Sequence, residues 1–336
     1  MFTNRQLLFA LALTLAPVAL AGPAAAAGTQ VQTWVSDTGS DSSTTCQITA
    51  PCATFNGAYG KTLIGGEIKC LNSGDYGVVA ITNSITINCQ YSIGAIGDGA
   101  AVFSIDAPAG SVITLRGLDL DAGAGDDVAT CMSPLGEINF TGGGVLHLQK
   151  VKINHMTNSN SAGGGGTPCG EGILFAPTSN ATLDITDSDI TDNGTGGILA
   201  GIYIKPQSGI EANVTITRSQ VQGNYFGIVG DGRSGGTISA TISDSVVSGN
   251  AENGITVISS GSSVVFMIDQ TKVTGNAAAG LFAGGSGAGM LARNTTVFKN
   301  GYGLDIVNGG ALYSYGNNSV AGNATNGAFT GTVGLQ

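Results

Sequence analysis

The chain has 336 residues, with 12 Lys and Arg against 22 Asp and Glu, a formal charge of −10. With no basic patch and no run of basic and aromatic residues, this balance argues against a nucleic-acid partner, and against anionic membranes or polyanionic glycans unless calcium bridges them. Charged residues make up only 10% and glycines number 55, but hydrophobics reach 42% and recur periodically, which a disordered chain would not show.

In chain order, Arg5 and an apolar run over residues 7–21 precede small-residue cleavage options after Ala21 or Ala27. Residues 1–27 thus read as a secretory signal, too short and too Ala-rich at its end for a membrane anchor. No later apolar stretch is long enough to span a bilayer, so the expected destination is secreted or periplasmic. Residues 28–64 read as an N-terminal cap and lead-in, with a short capping segment near 54–63. Six cysteines in an exported chain point to three disulfides, of which sequence alone allows fifteen arrangements. Cys46 and Cys52 bracket a short turn, Cys70 and Cys89 lie about one coil apart, and Cys131 and Cys169 fall in two long insertions, so these three pairings are expected.

From residue 65 to 336 the chain reads as one all-β solenoid of roughly ten coils at about 4.8 Å of rise each. An eleven-residue phrase ending in asparagine recurs as LDITDSDITDN (183–193), VTITRSQVQGN (214–224), ATISDSVVSGN (240–250), FMIDQTKVTGN (266–276), MLARNTTVFKN (290–300) and YSYGNNSVAGN (313–323). The terminal residues Asn193, Asn224, Asn250, Asn276, Asn300 and Asn323 are 31, 26, 26, 24 and 23 residues apart, the length of a β coil. Alternation turns Ile185, Ile190, Ile216, Val221, Ile242 and Val247 inward, with Ser188, Ser219 and Ser245 between them and Thr271, Thr295 and Asn318 continuing that column. A Gly followed by an apolar residue comes after each Asn, at Gly197-Ile198, Gly227-Ile228, Gly254-Ile255, Gly280-Leu281, Gly303-Leu304 and Gly327-Ala328. The Asn column is expected to be a structural ladder whose amides bond from coil to coil. Residues 146–156 and 113–123 fit the phrase with Met and Gly in place of Asn, and 81–89 fits loosely.

The spacing between inward positions is 33 from Leu120 to Ile153, 37 to Ile190 and 31 to Val221, then 23 to 26. The extra residues, 121–135 and 154–170, leave neighbouring coils at one edge, where a binding wall is expected. Beside it the outward positions concentrate the chain's few charges. One column reads Asp119, Lys152, Asp189; another reads Lys150, Asp187, Arg218, Asp244; Asp121, Asp126, Asp127, His155 and Asp192 align nearby. His147, between Leu146 and Leu148, is expected to face solvent.

These phrases resemble those of right-handed parallel β-helix proteins of the pectin-lyase-like superfamily. The stretch WVSDTGSDSSTTCQITAPCATFNGAYGKT with GGEIKC is similar to the lead-in of secreted bacterial β-helix-repeat proteins. The resemblance implies a right-handed single-stranded parallel β-helix with a short N-terminal cap. It implies no one activity, because the superfamily spans lyases, hydrolases, esterases, epimerases, tailspikes and adhesins. The polygalacturonase-type signatures NTD, GHG and RIK and the epimerase stretch DPHE are absent. By resemblance to pectate-lyase-like enzymes, Lys152 or Arg218 would be the base and Asp119 and Asp189 calcium ligands; a glycoside hydrolase would use Asp187 with Asp189. The sequence therefore reads as an exported, non-catalytic β-helix that binds a polysaccharide or cell-surface glycan through the insertion-walled face, with Asp119, Asp121, Asp126, Asp127, His155, Asp187, Asp189 and Asp192 as binding residues. The alternative is a calcium-dependent polysaccharide lyase or a glycoside hydrolase at the same face.

Overall fold

The computed structural model describes residues 28–90, 94–96, 103–121, 136–156, 170–194 and 199–334. Among these residues the strands form three parallel sheets of twelve, nine and ten strands, each visited once per coil. A typical coil runs from Ala181–Thr186 in the twelve-stranded sheet to Asp189–Thr191 in the ten-stranded sheet and on to Ala200–Ile204 in the nine-stranded sheet. Burial alternates along Ala181–Thr186, so Leu183 and Ile185 enter the core and stack on Leu146, Leu148, Val214 and Ile216 of the coils either side. Each such side chain contributes about 1.5–3 kcal/mol on leaving water, and one continuous apolar core runs the length of the rod.

Two backbone columns bend each coil. Between the twelve- and ten-stranded sheets, Lys150, Asp187, Arg218, Asp244, Gln270 and Asn294 all have φ between 47° and 53°. These residues form a left-handed corner rather than part of a strand face, so the charge column read from the sequence is a row of turn residues. A serine or threonine follows every one of these corners but Lys150, which Val151 follows. The Ser219 and Ser245 hydroxyls accept the backbone N–H of Ser188 and Ser219, and donate to the carbonyls of Thr217 and Ser243. The second bend, before the nine-stranded sheet, is again left-handed, at His155, Asp192, Gly223, Gly249, Gly275, Lys299 and Gly322.

One residue further on stand the asparagines. From Asn224 onward each Oδ1 accepts both the backbone N–H and the Nδ2–H of the preceding asparagine, as at Asn224 to Asn250 (3.0 and 3.3 Å) and Asn276 to Asn300 (3.0 and 2.8 Å), while Asn193 Oδ1 accepts the Met156 N–H. A β-carbon on Gly201 or Gly227 would come within 2.8 Å of the Asn224 amide or 2.9 Å of that of Asn250, so close approach of the next strand to this ladder requires glycine. The register aligns Ile202 with Ile228, which puts Gly201-Ile202 in this column and corrects the assignment of Gly197-Ile198, a pair outside the described residues. The loose fit of 81–89 is corrected too: Ile85 pairs with Ile113, whereas Ile81 lies in the nine-stranded sheet opposite Ile105.

The N-terminal end is closed by strand Gln30–Val35, which adds to Thr62–Cys70, and by helix Phe55–Tyr59, whose N-cap Thr54 accepts from the Gly57 N–H. Phe55 packs against Tyr76 and Phe103 at ring separations of 5.2 and 5.9 Å. Disulfides join Cys46 to Cys52 and Cys70 to Cys89; Cys131 and Cys169 lie outside the described residues.

Candidate functional site

The expected charge column on the ten-stranded sheet forms a row in register, Asp119 beside Lys152 and Lys152 beside Asp189. The Lys152 ammonium lies 3.8 Å from Asp119 Oδ2, between the two carboxylates that calcium would have to share. Asp119's other strand neighbour in register is Ala95, so the row supplies two carboxylates kept a strand apart by an ammonium rather than an oxygen cage. This donor set does not fit calcium. Arg218 is engaged with Asp187, Nε to Oδ1 at 2.7 Å, and its hydrogen bond and charge hold that carboxyl below its usual range. The two candidate bases are thus each tied to an aspartate. Asp187 belongs to the corner and Asp189 to the next strand, and the Arg218 bond is made by Asp187 alone of the two. His147 is not merely solvated; its Nδ1 is 3.0 Å from Asp184 Oδ2 across adjacent strands. A depression of about 340 Å³ at the first corner is lined by Gln90, Arg116, Gln149, Lys150, Thr186 and Asp187.

At the second corner, where both insertions leave the rod, His155 Nδ1 is 2.8 Å from Asp121 Oδ1 and 3.0 Å from Asn154 Nδ2. Asp192 occupies the same left-handed column one coil on, exposed to solvent. Asp126 and Asp127 are outside the described residues. The strand that follows, Gly136–Phe140, carries Glu137, 2% exposed, in the register of the glycine column, one coil before Gly172. Burial, and then the Asp121 charge, push its carboxyl up to about 8.

A groove of about 530 Å³, within the ~300–1,000 Å³ of small-ligand clefts, opens on the outer face of the nine-stranded sheet, on the strands that the insertions lead into. Its floor is the register row Asn139, Leu174, Tyr203 on strands Gly136–Phe140, Glu171–Phe175 and Ala200–Ile204; Thr141, Ala176, Lys205 and Ser208 are among the residues around it. Leu174 and Tyr203 join Ala200 and Val229 in a small apolar cluster outside the main core. The Tyr203 hydroxyl donates to Asp231 Oδ2 at 2.8 Å, and Arg233 Nη2 donates to the same oxygen at 2.8 Å. Burial alone would raise the Asp231 carboxyl, but the hydrogen bonds from Arg233 and Tyr203 outweigh it and hold it low. The ring is therefore anchored by an ionised, fully paired network. The exposed Lys205 carries its ammonium 5.9 Å above that ring.

Two buried oxygens in these strands have no hydrogen-bond partner, Asn139 Oδ1 and Glu171 Oε2. Glu171 falls level with Ala200, so it belongs to the outward column beside the apolar cluster. Burial pushes its carboxyl up to about 7 against the opposing pull of its own backbone N–H and of Lys205. Neither glutamate was singled out from sequence. The available signal was an acidic residue beside glycine at the start of two apolar strands, GEINF and EGILF.

A solenoid of three stacked parallel sheets with an internal asparagine ladder defines a parallel β-helix protein. Residues 136–325 match the family described as right handed beta helix region, and the chain belongs to that family. No curated protein matches it in sequence. Among solved structures it is similar to the pectate lyase Pel9A, with a TM-score of 0.57 and 16% identity over 86% of this chain and 76% of that one. It is also similar to XylC in complex with xylose, with a TM-score of 0.51 and 10% identity over 84% and 71%. These likenesses concern the fold.

Proposed function

We propose that this chain is an exported, non-catalytic β-helix that holds a glycan in the groove on the outer face of the nine-stranded sheet. The observation that carries the reading is the groove floor itself: an anchored tyrosine and apolar side chains flanked by the Asn139 side chain and an exposed lysine, a mostly apolar cleft with a few placed polar groups. The groove rises from the strands that follow the insertions, the side on which a binding wall is expected. Two disulfides fit an oxidising compartment. A pectate lyase and a xylose complex among the similar structures support a saccharide as the ligand. The charges that a lyase would need are paired with one another away from this groove, Lys152 with Asp119 on the ten-stranded sheet and Arg218 with Asp187 at the first corner.

One observation favours a second reading. Glu171, at the start of the floor strand Glu171–Phe175 and with its carboxyl pushed up to about 7 by burial, has the property of a general acid for glycosidic cleavage. Both readings are tested by incubating the mature chain with a polysaccharide panel, with and without calcium. Retention is followed by affinity electrophoresis, unsaturated product by ultraviolet absorbance and new reducing ends by colorimetry. Retention without product is the expected result. Product that disappears in Glu171→Gln would make the groove an active site, and retention of no glycan would remove the proposal.

A further inference from the structure

We infer that the depression at the first corner is a seat for a dianionic phosphate group, such as the terminal phosphate monoester of a sugar, held between Arg116 and Lys150. It lies away from the groove proposed above, and neither reading depends on the other.

Four arginines fall among the described residues, and three of them hold an aspartate: Arg218 with Asp187, Arg233 with Asp231 and Arg293 with Asp269. Arg116 is the exception. Its Nε and Nη2 donate to Gln149 Oε1, a neutral oxygen, at 2.9 and 2.5 Å, although the chain has 22 acidic residues against 12 basic ones. That contact uses one edge of the guanidinium and leaves the Nη1 end free to donate. Lys150 follows the residue paired in register with Arg116 and lines the same depression. Its side chain is exposed, and among the described residues no carboxylate forms a salt bridge with it. The one carboxylate in the lining, Asp187, has both oxygens taken by Arg218. Arg218 therefore cancels Asp187, and two positive charges line one depression uncompensated. They repel each other until an anion of matching charge lies between them.

The neutral groups around them can donate as well. With its Oε1 turned to Arg116, Gln149 has Nε2 as the free end of its amide, and the Thr186 hydroxyl stands beside it in the same register column. A carboxylate or a sulfate ester brings one charge and would leave the second cation unmatched, and a neutral sugar would leave both. A phosphate monoester carries about −1.5 to −2 near neutrality and three acceptor oxygens, enough to meet Arg116, Lys150 and Gln149 together. The cradle is held by its backbone. The Cys89 N–H donates to the Arg116 carbonyl while Cys89 is bonded to Cys70, and Lys150, fixed in a left-handed corner at φ 53°, donates its N–H to the Thr186 carbonyl. Little backbone freedom is left to lose on binding.

The test is isothermal titration of the mature chain at neutral pH and one ionic strength with glucose 6-phosphate, inorganic phosphate, glucose 6-sulfate, glucuronate and glucose. The expected result is that both phosphates bind at least about tenfold tighter than the sulfate ester and glucuronate, and that glucose gives no heat. A sugar phosphate tighter than inorganic phosphate assigns the seat to a phosphorylated sugar, and equal affinities assign it to the free ion. The chain carries −10, so bulk repulsion is strongest for the dianions and a preference for phosphate cannot come from net charge. Arg116→Met and Lys150→Met should each weaken glucose 6-phosphate at least about tenfold. Lys272→Met, which removes the same charge from an exposed position on the ten-stranded sheet, should leave it unchanged. Lys150 is exposed, so its variant reports on recognition even if Arg116→Met unfolds. Phosphates bound no tighter than the sulfate ester and glucuronate, an equal loss in Lys272→Met, or no heat from either phosphate would each overturn the phosphate seat and leave the groove reading standing. Phosphate binding with no glycan retained in the panel would do the reverse.

Discussion

Single buried polar groups carry the lengthwise order of this protein. Asn250 Oδ1 accepts both the N–H and the side-chain amide of Asn224, and its own amide donates to Asn276 at 2.7 Å. Asn250→Ala removes the acceptor and leaves the Asn224 backbone donor unsatisfied in a dry corner, so the unfolding free energy should fall by about 1–3 kcal/mol. A chemical denaturation midpoint equal to wild type would show that the ladder contributes nothing. Glu137 bears on pH. Its carboxyl is held at about 8 in the fold against an ordinary 4.5, so the folded state binds a proton that the unfolded chain has released between those values. The associated stability is fully present below pH 4.5 and is lost as pH rises toward about 8. Glu137→Gln should therefore flatten the dependence of the midpoint on pH across this window and exceed wild type at its upper end. Parallel pH profiles for the two proteins would contradict this.

Corners and strands differ in what they ask of a residue. Gln270 sits at φ 47° with its side chain exposed, in a conformation that costs an L-residue roughly 1–2 kcal/mol and glycine nothing. Gln270→Gly should raise the thermal midpoint, and Gly275→Ala, at φ 69° in the second corner, should lower it by a comparable amount. Changes of the same sign at both positions would refute the corner account. The strands were legible in the sequence because inward positions such as Ile190, Val221 and Val247 must all be small enough and apolar enough to stack, so the pattern repeats. The groove was not, because its floor follows no repeat. Asn139, Leu174 and Tyr203 become neighbours only through the coil register, at separations of 35 and 29 residues set by how much chain each loop consumes. The charge columns were legible as rows, and Asp119, Lys152 and Asp189 do share one. What alternation could not reveal was that Asp187 and Arg218 turn a corner, where they pair with each other.

On the scale of the whole rod, each coil rests on its neighbours alone, so the ends decide whether the stack is protected. The N-terminal edge strand Thr62–Cys70 is covered by Gln30–Val35, and helix Phe55–Tyr59 drives Phe55 into the first coils. Phe55→Ala should cost about 3–5 kcal/mol and loosen this cover, exposing a parallel edge that pairs between molecules. Light scattering on warming should then rise well before that of wild type, and a variant that stays clear to the same temperature would show that the cap is dispensable. The solenoid gives the molecule three long faces, and the site assigned here uses the outer face of the nine-stranded sheet, not that of the ten-stranded sheet where Asp119, Lys152 and Asp189 lie.

That choice of face is open to one direct measurement: acetylation of lysine amines, mapped by mass spectrometry, with and without saturating amounts of the glycan most strongly retained in the panel. Lys205 lines the groove, while Lys152, with a side chain 52% exposed, marks the ten-stranded face. The glycan should protect Lys205 and leave the labelling of Lys152 unchanged. Protection of Lys152 with Lys205 labelled as fast as in the free protein would place the ligand on the other face and contradict the account.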